Sequence, residues 1–292
     1  MDAPPVITLT TDFGTSDPYV GVMKGVILGI NPRASIVDIG HQVQPQSIQE
    51  GAFIIGTSHR FFPKGTIHVV VVDPGVGTSR SALLLVTPLA YFLAPDNGVL
   101  SYILQEGFCL EPKAAAHVLA KGQGDSGAPV QWEGSQVGVH PGYRAYHLTN
   151  PEFWLHPVSA TFHGRDIFAP VAAHLSLGVP AHRLGVETRH LTSLPHRLPR
   201  RDGDMLIGEV VHVDHFGNLI TNIPASLLPQ QGTVTIEVKG RRIVGLSRSY
   251  AEGVWLLAIV GSHGNLEVSV RDGNAAQMLE VKVGHVVRVV LA

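Results

Sequence analysis

The sequence predicts an α/β protein: an N-terminal α/β domain with a mainly parallel sheet, then a C-terminal antiparallel β-barrel. Three observations predict it. Strand-like and helix-like segments alternate over the first hundred residues, the β-α-β-α-β order of a parallel sheet with right-handed crossovers. One of those strands, Val69 to Val72, is a β-branched run with no polar break, which suits burial on both faces. Beyond residue 203, short alternating strands separated by tight turns take over.

In chain order, Val6 to Leu9 is an apolar strand ending at Thr10-Thr11-Asp12-Phe13-Gly14. Asp17 is read as an N-cap with Pro18 at the first helical position, opening a helix from Tyr19 to Ile30 that Asn31-Pro32 stops. Ala34 to Ile39 is the next strand, and Ser47-Ile48-Gln49-Glu50 is a capping box opening a helix to about Phe61. After the Val69 strand come Ala82 to Val86, Tyr91 to Ala94, the turn Pro95-Asp96-Asn97-Gly98 and a short helix from Val99 to Gln105. Glu111 to Tyr143 is Gly-rich with little periodicity and reads as an insertion, with a small hairpin over Val130 to Val137. Ile167 to Leu177 has helical spacing and Gly178 suits the position after it. Pro195, Pro199 and clustered Arg and His mark a boundary, giving domains 1–190 and 203–292. Leu206 to Val213, Thr233 to Val238, Val254 to Val260, Leu266 to Val270 and Val286 to Leu291 are the barrel strands.

The chain has 292 residues, enough for two cores, and 45% hydrophobic against 15% charged residues excludes a disordered class. A formal net charge of −2 supplies no basic field for nucleic acid or an anionic membrane. Cys109 is the single cysteine, so an internal disulfide is impossible, and it reads as buried filler. No membrane span and no secretory signal are visible, so a cytoplasmic protein is expected.

Several chemistries compete. Gly124-Asp125-Ser126-Gly127-Ala128-Pro129 imitates a serine-protease nucleophile loop, but the strand–helix alternation before it does not fit that architecture. Gly75-Val76-Gly77 lacks the third glycine of a dinucleotide fingerprint, and there is no Walker lysine motif. His212, Asp214 and His215 alternate across a strand and make a poor metal set, so no metal and no cofactor are expected. What remains is Asp12, Asp73, Arg80, His163, Asp214 and Asn218, polar groups in or next to turns. Asp73 stands where an apolar strand ends, the usual place for ligands in open α/β sheets, and Arg80 returns seven residues later. A structural turn with an Asp cap and a surface Arg is the alternative. From the residues alone, the set supports a pocket for a polar small molecule.

Five stretches occur in order: Thr11-Asp12-Phe13-Gly14, Asp73-Pro74-Gly75-Val76-Gly77-Thr78, Pro95-Asp96-Asn97-Gly98, Phe162-His163-Gly164-Arg165-Asp166-Ile167-Phe168-Ala169-Pro170 and Asp214-His215-Phe216-Gly217-Asn218. Together they resemble the S-adenosylmethionine hydroxide adenosyltransferase family, relatives of the fluorinase and chlorinase. The resemblance spans nearly the whole chain except roughly Glu111 to Tyr143. It implies a homotrimer with the ligand between one subunit's N-terminal domain and a neighbour's C-terminal domain. It implies attack of water on the 5′ carbon of S-adenosylmethionine, giving adenosine and methionine. Asp73, Arg80 and His163 match the family's activating set. Asp12, with Asp73, matches positions on the adenosine, Asp12 on the ribose hydroxyls. Asn218, Ser262, Glu267 and Val270 match positions around the adenine and methionine tail. Asp17 and Asp214 match positions near the amino-acid portion, and Phe162 and Phe216 are candidate aromatic walls, or ordinary core.

Asp73 and Gly164 stand where the fluorinase has a tyrosine and a halide-binding serine, which favours water over halide. Gln46 and His263 replace a tryptophan and an arginine. A halogenase, or a protein that only binds adenosine or S-adenosylmethionine, is the competing expectation.

Overall fold

The computed structural model describes residues 3–109, 135–195, 198–229, 234–253 and 255–291. The expectations for the Cys109 side chain, for Gly124 to Pro129 and for much of the insertion lie outside the described residues. The chain divides into two compact units, one ending at residue 195 and the other running from there to the C-terminus.

The first unit contains β1 (Val6–Thr11), α1 (Tyr19–Ile30), β2 (Ser35–Gly40), α2 (Ile48–Ser58), β3 (Ile67–Val71), β4 (Ala82–Val86), β5 (Tyr91–Pro95), α3 (Ser101–Cys109), β6 (Ser135–Gly138), β7 (Arg144–Leu148), α4 (Ala169–Ser176), β8 (Gly185–Thr188) and β9 (His190–Ser193). Seven of the strands form one sheet in the order β2-β1-β3-β5-β4-β7-β8. β2, β1, β3 and β5 run parallel, and β4, β7 and β8 extend the sheet with antiparallel pairings.

The valine run behaves as its composition requires. Val69 and Val71 face the core beneath α1 and α4, while Val70 and Val72 face the core beneath α2 and α3. All four are at most 2% exposed. Each such burial is worth about 1.5–3 kcal/mol, so no polar residue competes for these positions.

Several local expectations differ from the structure. Pro18, not Asp17, is the residue before α1, and no side chain caps it. Ser47 does cap α2 by accepting from the Glu50 amide, but the Glu50 carboxylate reaches the Gln44 amide at 2.8 Å instead of closing the box. The last predicted turn of α2 tightens into a 3-10 turn, His59–Phe61. β6 pairs with β9 far along the chain, and the hairpin expected over Val130 to Val137 lies mostly outside the described residues. β8, at the end of the first expected domain, and β9, at the boundary, were not predicted, because their exposed polar positions hide the strand period.

The second unit is antiparallel: β10 (Arg200–Asp202), β11 (Met205–Val213), β12 (Leu219–Pro224), β13 (Val234–Val238), β14 (Arg241–Val244), β15 (Leu256–Val260), β16 (Asn265–Val270), the short α5 (Ala275–Leu279) and β17 (Val286–Leu291). The sheet order is β14-β13-β17-β11-β12-β16-β15, with β10 on β11. A bridge between Ser247 and Ile259 brings the two ends together, so the sheet is a nearly closed barrel around an apolar core. β12 and β14 carry little hydrophobic alternation and were not predicted.

Candidate active site

The chain leaves β1 for β2 on one side and returns to β3 on the other, so the strand order reverses between β1 and β3. In open α/β sheets that reversal leaves a crevice at the carboxyl ends of the strands, where ligands bind. β1 and β3 are parallel, with Thr11 opposite Val71. Asp12 and Asp73 therefore leave the same edge of the sheet on neighbouring strands.

Asp73 is fixed by a fork. Arg80 Nε donates to Asp73 Oδ1 at 3.0 Å and Nη2 donates to Oδ2. The two side chains are 4% and 10% exposed, so this pair is shielded from the solvent that weakens most surface ion pairs. The Arg80 guanidinium also lies 5.7 Å from the ring centre of Phe168. Nη2 further donates to His163 Nδ1 at 2.6 Å. Burial first, and the Arg80 charge second, hold the imidazole below its ordinary pKa. It is neutral at pH 7.

Turn geometry makes these contacts possible. Gly77 adopts φ +77°, and a Cβ there would sit 2.3 Å from the Ala160 carbonyl oxygen. Only glycine lets the 74–78 turn press against the segment that leads into His163. Asn97, read from sequence merely as part of a turn, donates Nδ2 to the Val72 carbonyl at 2.9 Å and so braces the strand end before Asp73. His163 precedes a π-helical turn, Gly164–Phe168, that runs into α4. Within it, Asp166 is fully buried, paired with Arg165 at 2.6 Å and bonded to the Ser159 amide at 2.8 Å. Phe162 packs edge-on against Phe13 at 5.7 Å and Tyr19 at 5.1 Å. Phe13 and Tyr19 were not singled out from sequence, although Phe13 lies inside the Asp12 motif. Asp12 Oδ2 accepts from the Gln46 amide at 2.8 Å. Asp17 is exposed, with no side-chain partner among the described residues.

The second unit carries its own polar group. Asp214 accepts from the Phe216 and Asn218 amides, both at 2.9 Å, and from Asn218 Nδ2 at 2.8 Å. These bonds build the turn itself, which explains Asp214 without a ligand. Gly217 at φ +85° lets this turn sit against Asn274, the cap of α5. Phe216 is 71% exposed and so is not core, whereas Asn218 and Val270 are each 8% exposed. Ser262 is exposed in the loop between β15 and β16. Glu267 is 3% exposed, and its Oε1 accepts from both Tyr250 Oη and Ser269 Oγ at 2.7 Å. Burial and that bond push the Tyr250 phenol up to about 12. Tyr250 gave no signal in the sequence, since it sits in an irregular segment outside every motif. Among the described residues, no group of three or more His, Cys, Asp or Glu is arranged to hold a metal ion.

One guanidinium thus links a carboxylate and a neutral imidazole at a switch point beside an aromatic cluster, an arrangement suited to a small-molecule site in an α/β protein. Comparison with known proteins supplies the family. The model of the SAM hydroxide adenosyltransferase N-terminal domain matches residues 7–137 and 134–185, and that of the C-terminal domain matches 208–288. The chain belongs to the SAM hydroxide adenosyltransferase family. It is 36% identical to the (R)-S-adenosyl-L-methionine hydrolase of Salinispora tropica, over 99% of both chains. It is also 36% identical to that of Thermus thermophilus, over 95% of this chain and 96% of the relative. A fluorinase of Nocardia brasiliensis is 31% identical over 78% of this chain and 74% of its own. A crystal structure of an uncharacterized conserved protein from Thermotoga maritima superposes with a TM-score of 0.81 at 34% identity, covering 97% of this chain and 99% of that one.

Proposed function

We propose that the chain hydrolyses S-adenosyl-L-methionine, giving adenosine and L-methionine. The contact set of Asp73, Arg80 and His163 carries this reading, in a chain aligned end to end with named hydrolases. The water oxygen bonds to C5′, the C5′–S bond breaks, and its electron pair stays on sulfur as the neutral thioether. One water proton must leave. His163 Nδ1 is occupied by Arg80, and a guanidinium only donates, so the imidazole proton sits on Nε2. That leaves the Asp73 carboxylate, with lone pairs beyond the Arg80 fork, as the acceptor. A carboxylate suffices because water bonded to carbon is far more acidic than free water, so the proton is lost as the C–O bond forms. Arg80 fixes the Asp73 carboxylate by its two hydrogen bonds, and His163 Nε2–H orients the nucleophile; positioning carries much of the rate gain.

Asp12 takes the ribose hydroxyls, with Asn218, Ser262, Glu267 and Val270 around the adenine and methionine tail. Asp17 and Asp214 stand near the amino-acid portion and Phe162 and Phe216 are walls, although Asp214 is already spent in its own turn. The assembly we propose is a cytoplasmic homotrimer, checked by light scattering and fractionation, and turnover needs no cofactor, checked by dialysis against a chelator. The relatives' names specify the (R) sulfonium, so both epimers belong in the assay. Mass detection of adenosine and methionine tests the reading. A 5′-halo product in chloride or fluoride would replace it with the halogenase. Ligand binding without turnover would leave only a sensor.

A further inference from the structure

The loop that carries Asp12 is held from outside the site. The His41 carbonyl accepts from the Gly14 amide at 2.7 Å, and His41 Nδ1 lies 3.0 Å from Thr11 Oγ1. On its other side, His41 Nε2 lies 2.9 Å from Asp38 Oδ1, an ion-pair distance without hydrogen-bond alignment. Thr11 Oγ1 also accepts from the Phe13 amide at 3.2 Å. Burial pushes the Asp38 carboxyl up, but Lys24 and His41 beside it outweigh burial and hold Asp38 ionised. The Thr11 hydroxyl pairs with His41 Nδ1 while accepting from the Phe13 amide, so one buried side chain ties His41 to the start of the Asp12 loop. Thr11 is fully buried and His41 is 7% exposed, so water cannot replace a lost partner.

Asp12 lies between the two residues this chain grips. Its Oδ2 is spent on the Gln46 amide, from a backbone at φ 68° that a glutamine rarely adopts. Its Oδ1 has no partner among the described residues.

We propose that Asp38, His41 and Thr11 are positioning residues that lock the Asp12 loop, so that Asp12 Oδ1 is held for a hydroxyl of a ribose. The proposal rests on the functional reading above and adds what sets sugar recognition at that site. It is tested on the full chain by calorimetric titration with adenosine and with 2′-deoxyadenosine, alongside steady-state turnover of S-adenosylmethionine. Thr11→Val and His41→Leu should weaken adenosine about tenfold and 2′-deoxyadenosine by less than about twofold. KM should rise by a similar factor with kcat within about twofold. His41→Asn, which keeps a hydrogen-bonding group near the Nδ1 position, should recover most of the adenosine affinity. Thr11→Val is nearly isosteric, so it answers even if His41→Leu does not fold. Asp12→Asn separates the failures. If it abolishes the preference for adenosine while Thr11→Val and His41→Leu keep it, the positioning role is wrong and the site reading stands. If Asp12→Asn also keeps the preference, both are wrong. Equal weakening of the two nucleosides by Thr11→Val would mark a merely structural contact and overturn the proposal.

Discussion

His163 Nδ1 lies 2.6 Å from Arg80 Nη2, a contact that only a neutral imidazole can make. The arginine cannot accept, so a second proton on the ring would set two donors against each other. One interaction thereby fixes the tautomer, the charge and the face that His163 offers a ligand.

The first prediction concerns pH. Burial, and next the Arg80 charge, lower the His163 pKa, while Asp73 and Asp166 raise it by less. A lowered imidazole stays neutral above its folded pKa and charges as pH falls through it. The acid limb of kcat/KM arising from His163 should therefore lie below the ordinary 6.5. An NMR titration of the ring should give the same displacement, reduced in Arg80→Met, where one lowering cause is gone and Asp73 remains. A ring that titrates at or above its ordinary value would rule out the assigned tautomer.

Removing the proton acceptor should act on the chemical step. Asp73→Asn keeps the shape but not the charge, and kcat is expected to fall about 10²–10⁴-fold with KM changed only a few-fold. Arg80→Lys keeps the charge but cannot span both Asp73 oxygens and His163, and should lose about 10²-fold. Stopped-flow or discontinuous product assays at saturating substrate check both. Near-native kcat in Asp73→Asn would remove the carboxylate from the mechanism.

Gly77→Ala should cost both stability and activity. The added methyl group meets the Ala160 carbonyl oxygen at 2.3 Å, and the backbone already stands at φ +77°. Strain of this kind is worth about 1–3 kcal/mol. Urea unfolding should show that loss, and kcat should drop because the Asp73 turn and the His163 segment separate. Unchanged unfolding and turnover would mean that the contact is not needed.

These relationships show how far sequence carries. The valine run, the α1 and α2 patterns and the carboxylates at strand ends were legible because burial on both faces and helical periodicity leave direct marks. The pairing of Asp73 with Arg80 was suggested by their spacing and motif. His163 stood with them among the polar turn residues, but its role as their partner came only through resemblance, since no local pattern tells a chain which distant segment will close on a turn. Tyr250, Asn97 and the His41–Thr11 contact were missed for the same reason: each acts through tertiary hydrogen bonds to a single atom. β8 and β12 were missed because their alternation is broken by exposed or polar residues.

A separate prediction concerns His68, a core residue with no part in the reaction. It is fully buried, stacked on Phe92 at 5.0 Å and bonded to Thr8 at 2.7 Å, and burial lowers its pKa to about 3. The unfolded chain binds this proton near pH 6.5, so stability is complete above that value and declines as pH falls toward 3. The contribution is on the order of 3–5 kcal/mol. Unfolding free energies measured between pH 7 and 4 should show this slope, and His68→Phe should flatten it. An identical slope in that variant would place the acid sensitivity elsewhere.

The most direct measurement of the central claim is turnover of S-adenosylmethionine in water enriched in oxygen-18, with the products read by mass. Solvent oxygen delivered to C5′ predicts adenosine carrying one heavy oxygen at its 5′ hydroxyl, methionine carrying none, and loss of the labelled product in Asp73→Asn. Unlabelled adenosine, or labelled adenosine formed equally well by Asp73→Asn, would contradict it.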